Sequence, residues 1–438
     1  MSTSQLQKTL GPWMIWGLGV GYVISGMYFG WNLGLAEGGP LGMLAALLFV
    51  TALYVPFSLC YAELACSIPH AGGAFAYAER GLGRRWGLFA GIAQGIEFIF
   101  APPAIAAAIG AYFHLLFPAL SITQIAISAY FIFTLLNIWG VRHSAIFELF
   151  VTVFAVGELV LFMGVTAPHF SVQAFLKNSA PHGFAGAFAA IPYAIWFYLG
   201  IEGLANISEE AHDPGRNIPR GFIRTILTLV VLALGVFFCA TGIDGWESIV
   251  YLPGSTQTTD SPLPMALRSL LGEGHFLYQL LVSVGIGGLI ASFHGILFAA
   301  GRTTLEFGRK GYAPSILAKV DRNRGTPMVA LIFNLILGVA ALLSGSTSEL
   351  ITLSVFGALT MYMLACCSVL AIRRKEPNLV RPYRAPCGSS LPKLAITIAV
   401  LCLFAMFYSN PKVGAFFVAL SLFGLAVGEM NTQLSRIK

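Results

Sequence analysis

Charge is what this chain has least of. Asp, Glu, Lys and Arg make up 10% of its 438 residues, while 57% are hydrophobic. A soluble domain carries about 25% charged residues, so a water-facing surface cannot be built from this supply. The chain reads as a polytopic membrane protein embedded in a lipid bilayer. The motifs of soluble enzymes are missing too: there is no H-E-x-x-H, no Walker A loop and no nucleophile elbow. The cysteines (Cys60, Cys66, Cys239, Cys366, Cys367, Cys387 and Cys402) show no C-x-x-C spacing and lie mostly in apolar runs. They read as small hydrophobes and imply neither a metal site nor a disulfide framework. No cleavable signal is expected, because Lys8 precedes an apolar run too long for a signal-peptide core and no small-residue cleavage site follows. The net charge of +6 is not a mark of nucleic-acid binding, because its placement has another cause.

What is there is apolar sequence in long runs. A bilayer core about 30 Å thick takes about 20 helical residues to cross. Hydropathy gives twelve candidate spans, at 12–37, 41–66, 86–117, 121–141, 144–167, 184–209, 220–243, 275–307, 326–344, 349–373, 391–409 and 411–434. Placing the N-terminus inside puts Arg80, Arg84, Arg85, Arg142, Arg216, Arg220 and Arg224 in inner loops. Arg302, Arg309, Lys310, Lys319, Arg322, Arg324, Arg373, Arg374, Lys375, Arg381, Arg384 and Lys393 join them, and the termini add Lys8, Arg436 and Lys438. Only Lys177, Arg268 and Lys412 stay outside. That asymmetry follows the positive-inside rule, with both termini cytoplasmic and the basic excess facing an anionic leaflet. The longest connection, Asp244 to Gly274, is rich in Ser, Thr, Pro and Gly and is expected outside.

The first span, Gly17 to Gly39, reads GLGVGYVISGMYFGWNLGLAEGG. Ser25-Gly26 stands at its midpoint, with Gly scattered on both sides. Gly is costly in mid-helix, and non-helical backbone at membrane depth survives only where it faces protein or water. A broken helix at a site is one reading; a packing face of small residues is the other. The sixth span, IPYAIWFYLGIEGLANISEE, carries Gly200 and Gly203 at its own midpoint. Interruptions at corresponding places in two halves point to an inverted repeat with a site between them. The expected fold is therefore all-α: twelve transmembrane helices, a 5+5 inverted repeat (12–167 and 184–373) with helices 1 and 6 broken, and two appended helices at 391–434.

The segment AELACSIPHAGGAFAYAERGLGRRWGLFAG (62–91) resembles the E-L-x-x-x-x-P-x-x-G-G-x-Y-x-Y signature of the amino acid–polyamine–organocation transporter superfamily, with Phe75 where Tyr is common. WFYLGIEGLANISEEAHDPGRNIPRG (196–221) is similar to its F-x-G-x-E…E-E-x-x-x-P-x-R-x-I-P-R pattern. GRTTLEFGRKGYAPSILAKVDRNRGTPMVAL (301–331) is similar to its stretch ending G-T-P. More narrowly, VISGMYFGWN (23–32) and IEFIFAPPAIAAAIGAY (96–112) look like the ethanolamine permease branch. Two departures stand out. Ile24 replaces the first Gly of the superfamily's G-x-G in span 1. Ala155 stands where many members carry a span 5 Lys, with the acid Glu158 one turn later.

Ionisable groups inside a bilayer are expensive, so each is a functional candidate. Four stand out. Glu97 in span 3 lies where the resemblance implies the distal end of the substrate. It is a partner for a substrate ammonium, a group that titrates in exchange for it, or a structural hydrogen-bond acceptor. Glu158 is a proton-coupling acid, a fixed counter-charge, or a protonated acid bonded to span 1 or 8. Glu202, a superfamily feature, is expected to gate the broken segment and to accept the N–H groups freed there. His294 in span 8 is a proton relay or a structural histidine, and Ser292 beside it is a substrate-binding candidate.

Tyr28, Trp31, Trp196, Phe197 and Tyr198 flank the breaks; cation–π contact would suit them, Trp196 best of all, and each is otherwise a packing residue. Carbonyls at 23–26 and 197–200, including Val23, Ser25, Gly26, Phe197 and Gly200, are expected to accept from the substrate amine. The half-helix starting near Met27 would hold a carboxylate if the substrate had one. Pro69 to Gly73 and Glu209 to Arg220 read as gate and hinge, with Glu209, Glu210 and Asp213 salt-bridged near Arg216 and Arg220.

The reading is a secondary transporter working by alternating access, not an enzyme, in the plasma membrane or bacterial inner membrane. Its site is expected at mid-membrane between spans 1, 3, 6 and 8. The substrate is ethanolamine or a similar small amine, coupled to protons, with no cofactor and no nucleic-acid partner. The alternative is a proton-coupled amino-acid permease or an amine/amino-acid exchanger. A transporter-like sensor usually needs a soluble signalling extension, which the short terminal segments argue against. A membrane enzyme lacks its metal or nucleophile constellation.

Overall fold

The computed structural model describes residues 10–70, 72–139, 144–321 and 324–437. Lys8, Arg142, Arg322 and Lys438, and Ala71 within the Pro69 to Gly73 motif, lie outside the described residues. In chain order the helices are α1 (Pro12–Val23), α2 (Ser25–Tyr28), α3 (Leu33–Ser67), α4 (Ala74–Leu82), α5 (Arg84–Leu116), α6 (Ile122–Trp139), α7 (Ser144–Thr166), α8 (Val172–Leu176), α9 (Gly183–Ala189) and α10 (Ile191–Trp196). They continue as α11 (Gly203–Asn206), α12 (Pro214–Thr241), α13 (Glu247–Val250), α14 (Pro262–Leu271), α15 (Phe276–Arg309), α16 (Met328–Ser344), α17 (Thr347–Lys375), α18 (Ser390–Ser409) and α19 (Pro411–Ile437). The only β pairing among the described residues is two isolated bridges, Leu10 with Ala211 and Tyr251 with Thr258.

Nine segments among the described residues are long and apolar enough to cross a membrane. The three expected spans that fall short do so for visible reasons. Two are broken, at 12–37 and 184–209, and the third is the 17-residue α16. Helix α3 is bent. Gly39 takes φ 62°, a region that favours glycine, and Pro40 follows it. The Leu41 amide, turned out at this bend, donates to the Ser179 carbonyl at 2.9 Å.

Burial separates core from rim. The central stretch of α17 is 78% buried and that of α15 67%, against 22% for α19. Large apolar side chains left outward, such as Phe131 and Leu135 on α6, Phe150 and Phe154 on α7, and Phe404 and Phe423 on α18 and α19, form the lipid-facing rim. Helix α1 sits at the centre, where its small residues let neighbours approach. A Cβ on Gly17 would stand 2.7 Å from Leu149 of α7, and one on Gly21 would stand 2.6 Å from the Glu148 carboxyl.

The backbone just before α1 lies beside the exit of α11. The Leu10 amide donates to the Glu210 carbonyl and the His212 amide to the Leu10 carbonyl, both at 3.0 Å. The first and sixth segments therefore run in opposite directions.

Candidate functional site

The first break is built in two steps. Helical hydrogen bonding stops at Ile24, but Ile24 itself keeps helical angles. The backbone leaves the helical region at Phe29 (φ −160°, ψ 174°) and Gly30 (φ 85°). This corrects the expectation that placed the break at Ser25-Gly26. The Ile24 and Ser25 carbonyls are taken by the amides of Met27 and Phe29, at 3.0 and 3.3 Å. Each of these carbonyls thus already holds one backbone hydrogen bond. The second break is where the sequence placed it: Phe197 to Glu202 form turns between α10 and α11, with Gly200 at φ 103°.

The two breaks meet. A Cβ on Gly26 would collide with the Trp196 carbonyl oxygen, and one on Gly200 would stand 3.1 Å from the Tyr22 carbonyl oxygen. Trp196 fits its indole against Gly30 and packs edge-on to Phe29, with ring centroids 5.4 Å apart. Trp31 stacks on Phe197 at 5.5 Å. The Trp196 indole N–H is buried without an acceptor.

Helix α15 seals this crossing with a stripe of small residues. Gly285 and Gly288 face the Tyr28 ring, and Gly295 faces Tyr22. Ser292 lies in the same stripe. Its hydroxyl donates to the Tyr22 carbonyl at 2.7 Å and lies 2.8 Å from the Ser25 hydroxyl. The crossing thus brings residues 25, 26, 196 and 292 together. His294, two positions on, points elsewhere: its ring meets the edge of Phe133 on α6 at 6.2 Å.

Two further clusters surround it. On one side the Tyr28 hydroxyl donates to Glu158 at 2.6 Å and also lies 3.1 Å from the Ala155 carbonyl. Tyr112 donates to the Tyr28 carbonyl at 2.8 Å. The span 5 acid is therefore tied to span 1. On the other side Glu97 and Glu202 are fully buried, and their carboxyl groups face one another. Tyr362 of α17 donates to Glu202 at 2.8 Å, and Tyr54 of α3 lies 3.1 Å from Tyr362 and 3.4 Å from the Ile195 carbonyl. The Glu202 side chain accepts from Tyr362 and not, as expected, from amides freed at its own break. Neither oxygen of Glu97, nor Oε1 of Glu202, meets a hydrogen-bond donor.

At the basic end, Arg302 of α15 pairs with Glu210 at 2.8 Å and donates to the Asn206 carbonyl at 3.2 Å. Glu210 therefore pairs across to α15 and not with Arg216 or Arg220. The glycine pair before α4 closes on the same place, since a Cβ on Gly73 would stand 2.7 Å from Asn206 Oδ1. At the opposite end the 244–274 connection is tied down over the first break: the Asn32 amide donates to the carbonyls of Ile249 and Thr259, at 3.2 and 2.9 Å.

Sequence reasoning missed several of these residues. Glu148 on α7 is buried, with one oxygen unpartnered, against Gly21 and near Tyr22. The signal that singled out Glu158, an acid in an apolar run, was equally present there. Tyr54 and Tyr362 had no such signal, being tyrosines in apolar helices like many others.

A family model described as "Amino acid permease" matches residues 10–429. The chain belongs to the amino acid permease family. It is a membrane transporter of the amino acid–polyamine–organocation superfamily. Among its relatives is an uncharacterised transporter of Rhizobium meliloti (strain 1021), 28% identical, with 92% of this chain and 87% of the relative covered. The branched-chain amino acid permease BcaP of Bacillus subtilis (strain 168) is 25% identical over 91% of this chain and 87% of its own length. The serine/threonine exchanger SteT of the same organism is 25% identical over 96% of both. In this permease, then, the touching breaks, the α15 stripe and the buried acids belong to a transport protein. Among the described residues no group of His, Cys, Asp and Glu is arranged to hold a metal ion.

Proposed function

We propose that this permease carries a small primary amine, with ethanolamine the first candidate, by alternating access coupled to protons. One observation carries the reading. Glu97 is a fully buried carboxyl with no hydrogen-bond donor, set against a second carboxyl at the sixth-segment break. Such a group calls for a cation or a proton, since removing charge from water without a partner costs several kcal/mol. A substrate ammonium supplies one. The aromatic rings of Phe29, Trp31, Trp196 and Phe197 around the crossing suit the same group. The antiparallel broken segments support the inverted repeat of 12–167 and 184–373 and the count of twelve spans. The Lys and Arg bias supports cytoplasmic termini in a plasma or bacterial inner membrane.

A second reading, a proton-coupled amino-acid permease or exchanger, is favoured by the names of the relatives. Uptake of radiolabelled ethanolamine into proteoliposomes separates the two, with alanine, glycine and choline as competitors and a pH gradient on or off. Ethanolamine uptake that alanine fails to displace supports the amine. Strong uptake of alanine with no effect of ethanolamine overturns the amine reading in favour of the second. Uptake unchanged by the gradient removes the proton.

A further inference from the structure

Three carboxyl oxygens lie together without a donor: both of Glu97 and Oε1 of Glu202. The groups around them offer little charge. Helix α3 contributes Tyr54 and Tyr61, and α17 contributes Tyr362; Tyr77 of α4 lies behind Tyr61 and Cys402 of α18 near Tyr54. Neither carboxyl has a Lys, Arg or His among its hydrogen-bond partners in the described residues. Two carboxylates in contact in a dry site cannot both be ionised, because each raises the cost of charging the other. A single proton between them turns the repulsive contact into a hydrogen bond. Tyr362 already fills Glu202 Oε2, leaving Oε1 as the oxygen free to share.

We infer that Glu97 and Glu202 hold one proton between them in this closed arrangement, and that the arriving ammonium of the substrate displaces it. The step balances. The protonated pair carries one negative charge. It releases a proton to water on the open side, and the doubly ionised pair plus one ammonium again carries one negative charge. Proton and amine therefore compete for one site and travel in opposite directions, so an acidic interior accelerates amine uptake. Glu158, whose carboxyl is held by Tyr28, does not exchange. This inference rests on the amine reading above for the identity of the displacing cation, and on the carboxyl pair alone for the shared proton.

Infrared difference spectra of the purified, substrate-free protein between acid and alkaline pH read the proton directly. The expected result is a buried protonated-carboxyl band that disappears in both Glu97→Gln and Glu202→Gln, and that survives in Glu158→Gln. Loss of one band through either of two residues is the mark of sharing. Separate bands lost in the two variants, or a band unaffected by both, overturns the pair. Glu97→Asp guards against misfolding, since it retains a carboxyl and is expected to shift the band without abolishing it. A pH-indicator measurement in weak buffer then follows ethanolamine addition. Proton release on binding is expected in the wild type and lost in both Gln variants, while binding without release overturns the displacement. If no amine binds at all, the transport reading falls and the infrared result still decides the pair.

Discussion

Gly26 lies directly against the carbonyl oxygen of Trp196, so the two broken segments cross with no space for a side chain between them. Gly26 itself has helical backbone, and its need for glycine is one of clearance. Gly26→Ala is therefore expected to push the crossing apart, lowering stability by about 1–3 kcal/mol. Substrate uptake should fall more steeply than the amount of folded protein. Uptake normalised to monodisperse protein checks this, and a normal rate per folded molecule would refute the close crossing.

The Arg302–Glu210 pair is the second prediction. It joins α15 to the exit of the sixth segment, and the same guanidinium holds the Asn206 carbonyl. Arg302→Ala is expected to release about 1–2 kcal/mol of closure, a ~5- to 30-fold shift towards an open basic end. Thiol labelling of Asn206→Cys, buried behind this contact, should accelerate accordingly in the Arg302→Ala background. Exchanging the two residues, Arg302→Glu with Glu210→Arg, should recover slow labelling if the ion pair is the cause.

A pH response is expected at the opposite end. Asp260 accepts a hydrogen bond from Thr347 at 2.8 Å, where the 244–274 connection meets the start of α17. Burial there pushes its carboxyl up to about 6, from an ordinary 3.8. A carboxyl whose pKa is raised on docking favours the docked form when protonated. Docking is thus strongest below about pH 4 and is progressively lost as pH rises through 6. Hydrogen exchange across 244–274 should speed up over that window. Asp260→Asn, which keeps an acceptor for Thr347, should flatten the response; an unchanged slope in that variant assigns it to another group.

The fourth prediction concerns a buried ion pair near the basic end. Glu63 of α3 pairs with Arg373 of α17, both nearly inaccessible, and also accepts from the Ala385 amide at 2.7 Å. Arg381 lies 3.6 Å from the same carboxylate. Breaking a buried pair strands the surviving charge, at about 3–5 kcal/mol. Glu63→Leu alone should therefore lower the unfolding midpoint in detergent more than the double change Glu63→Leu with Arg373→Met. Equal losses in the two would show that the pair contributes no coupling.

How much of this was legible in the residues depends on the kind of force involved. Apolar runs have to be helices at membrane depth, so the spans could be read from hydropathy. That glycines mark the breaks was also readable, but not which glycine does what. Gly26, Gly30 and Gly34 look alike in sequence, yet only Gly30 among them turns to positive φ, while Gly26 provides clearance. Placing Ser292 at the site and His294 away from it is a matter of helix phase. Two residues amount to about 200° of rotation, and the stripe Gly285, Gly288, Ser292, Gly295 carried that phase in its small side chains. The pairing of Glu202 with Glu97 was hidden because the two lie more than a hundred residues apart on different helices. Glu210 reached past nearby arginines to Arg302 for the same reason: local sequence shows which charges are present, and only the packing decides which of them meet.

The short ladder linking Leu10 to the backbone around Glu210 and His212 has a mechanical consequence. It straps the head of the first segment to the tail of the sixth, so these two ends move as a single lever. Strapped at that end and pivoted at the Gly26–Trp196 crossing, the lever would swing at its far end, where the 244–274 connection grips Asn32, while the basic end opens by parting from Arg302 of α15. Release of that grip and rotation about the crossing would then be one motion, and the strap fixes its direction.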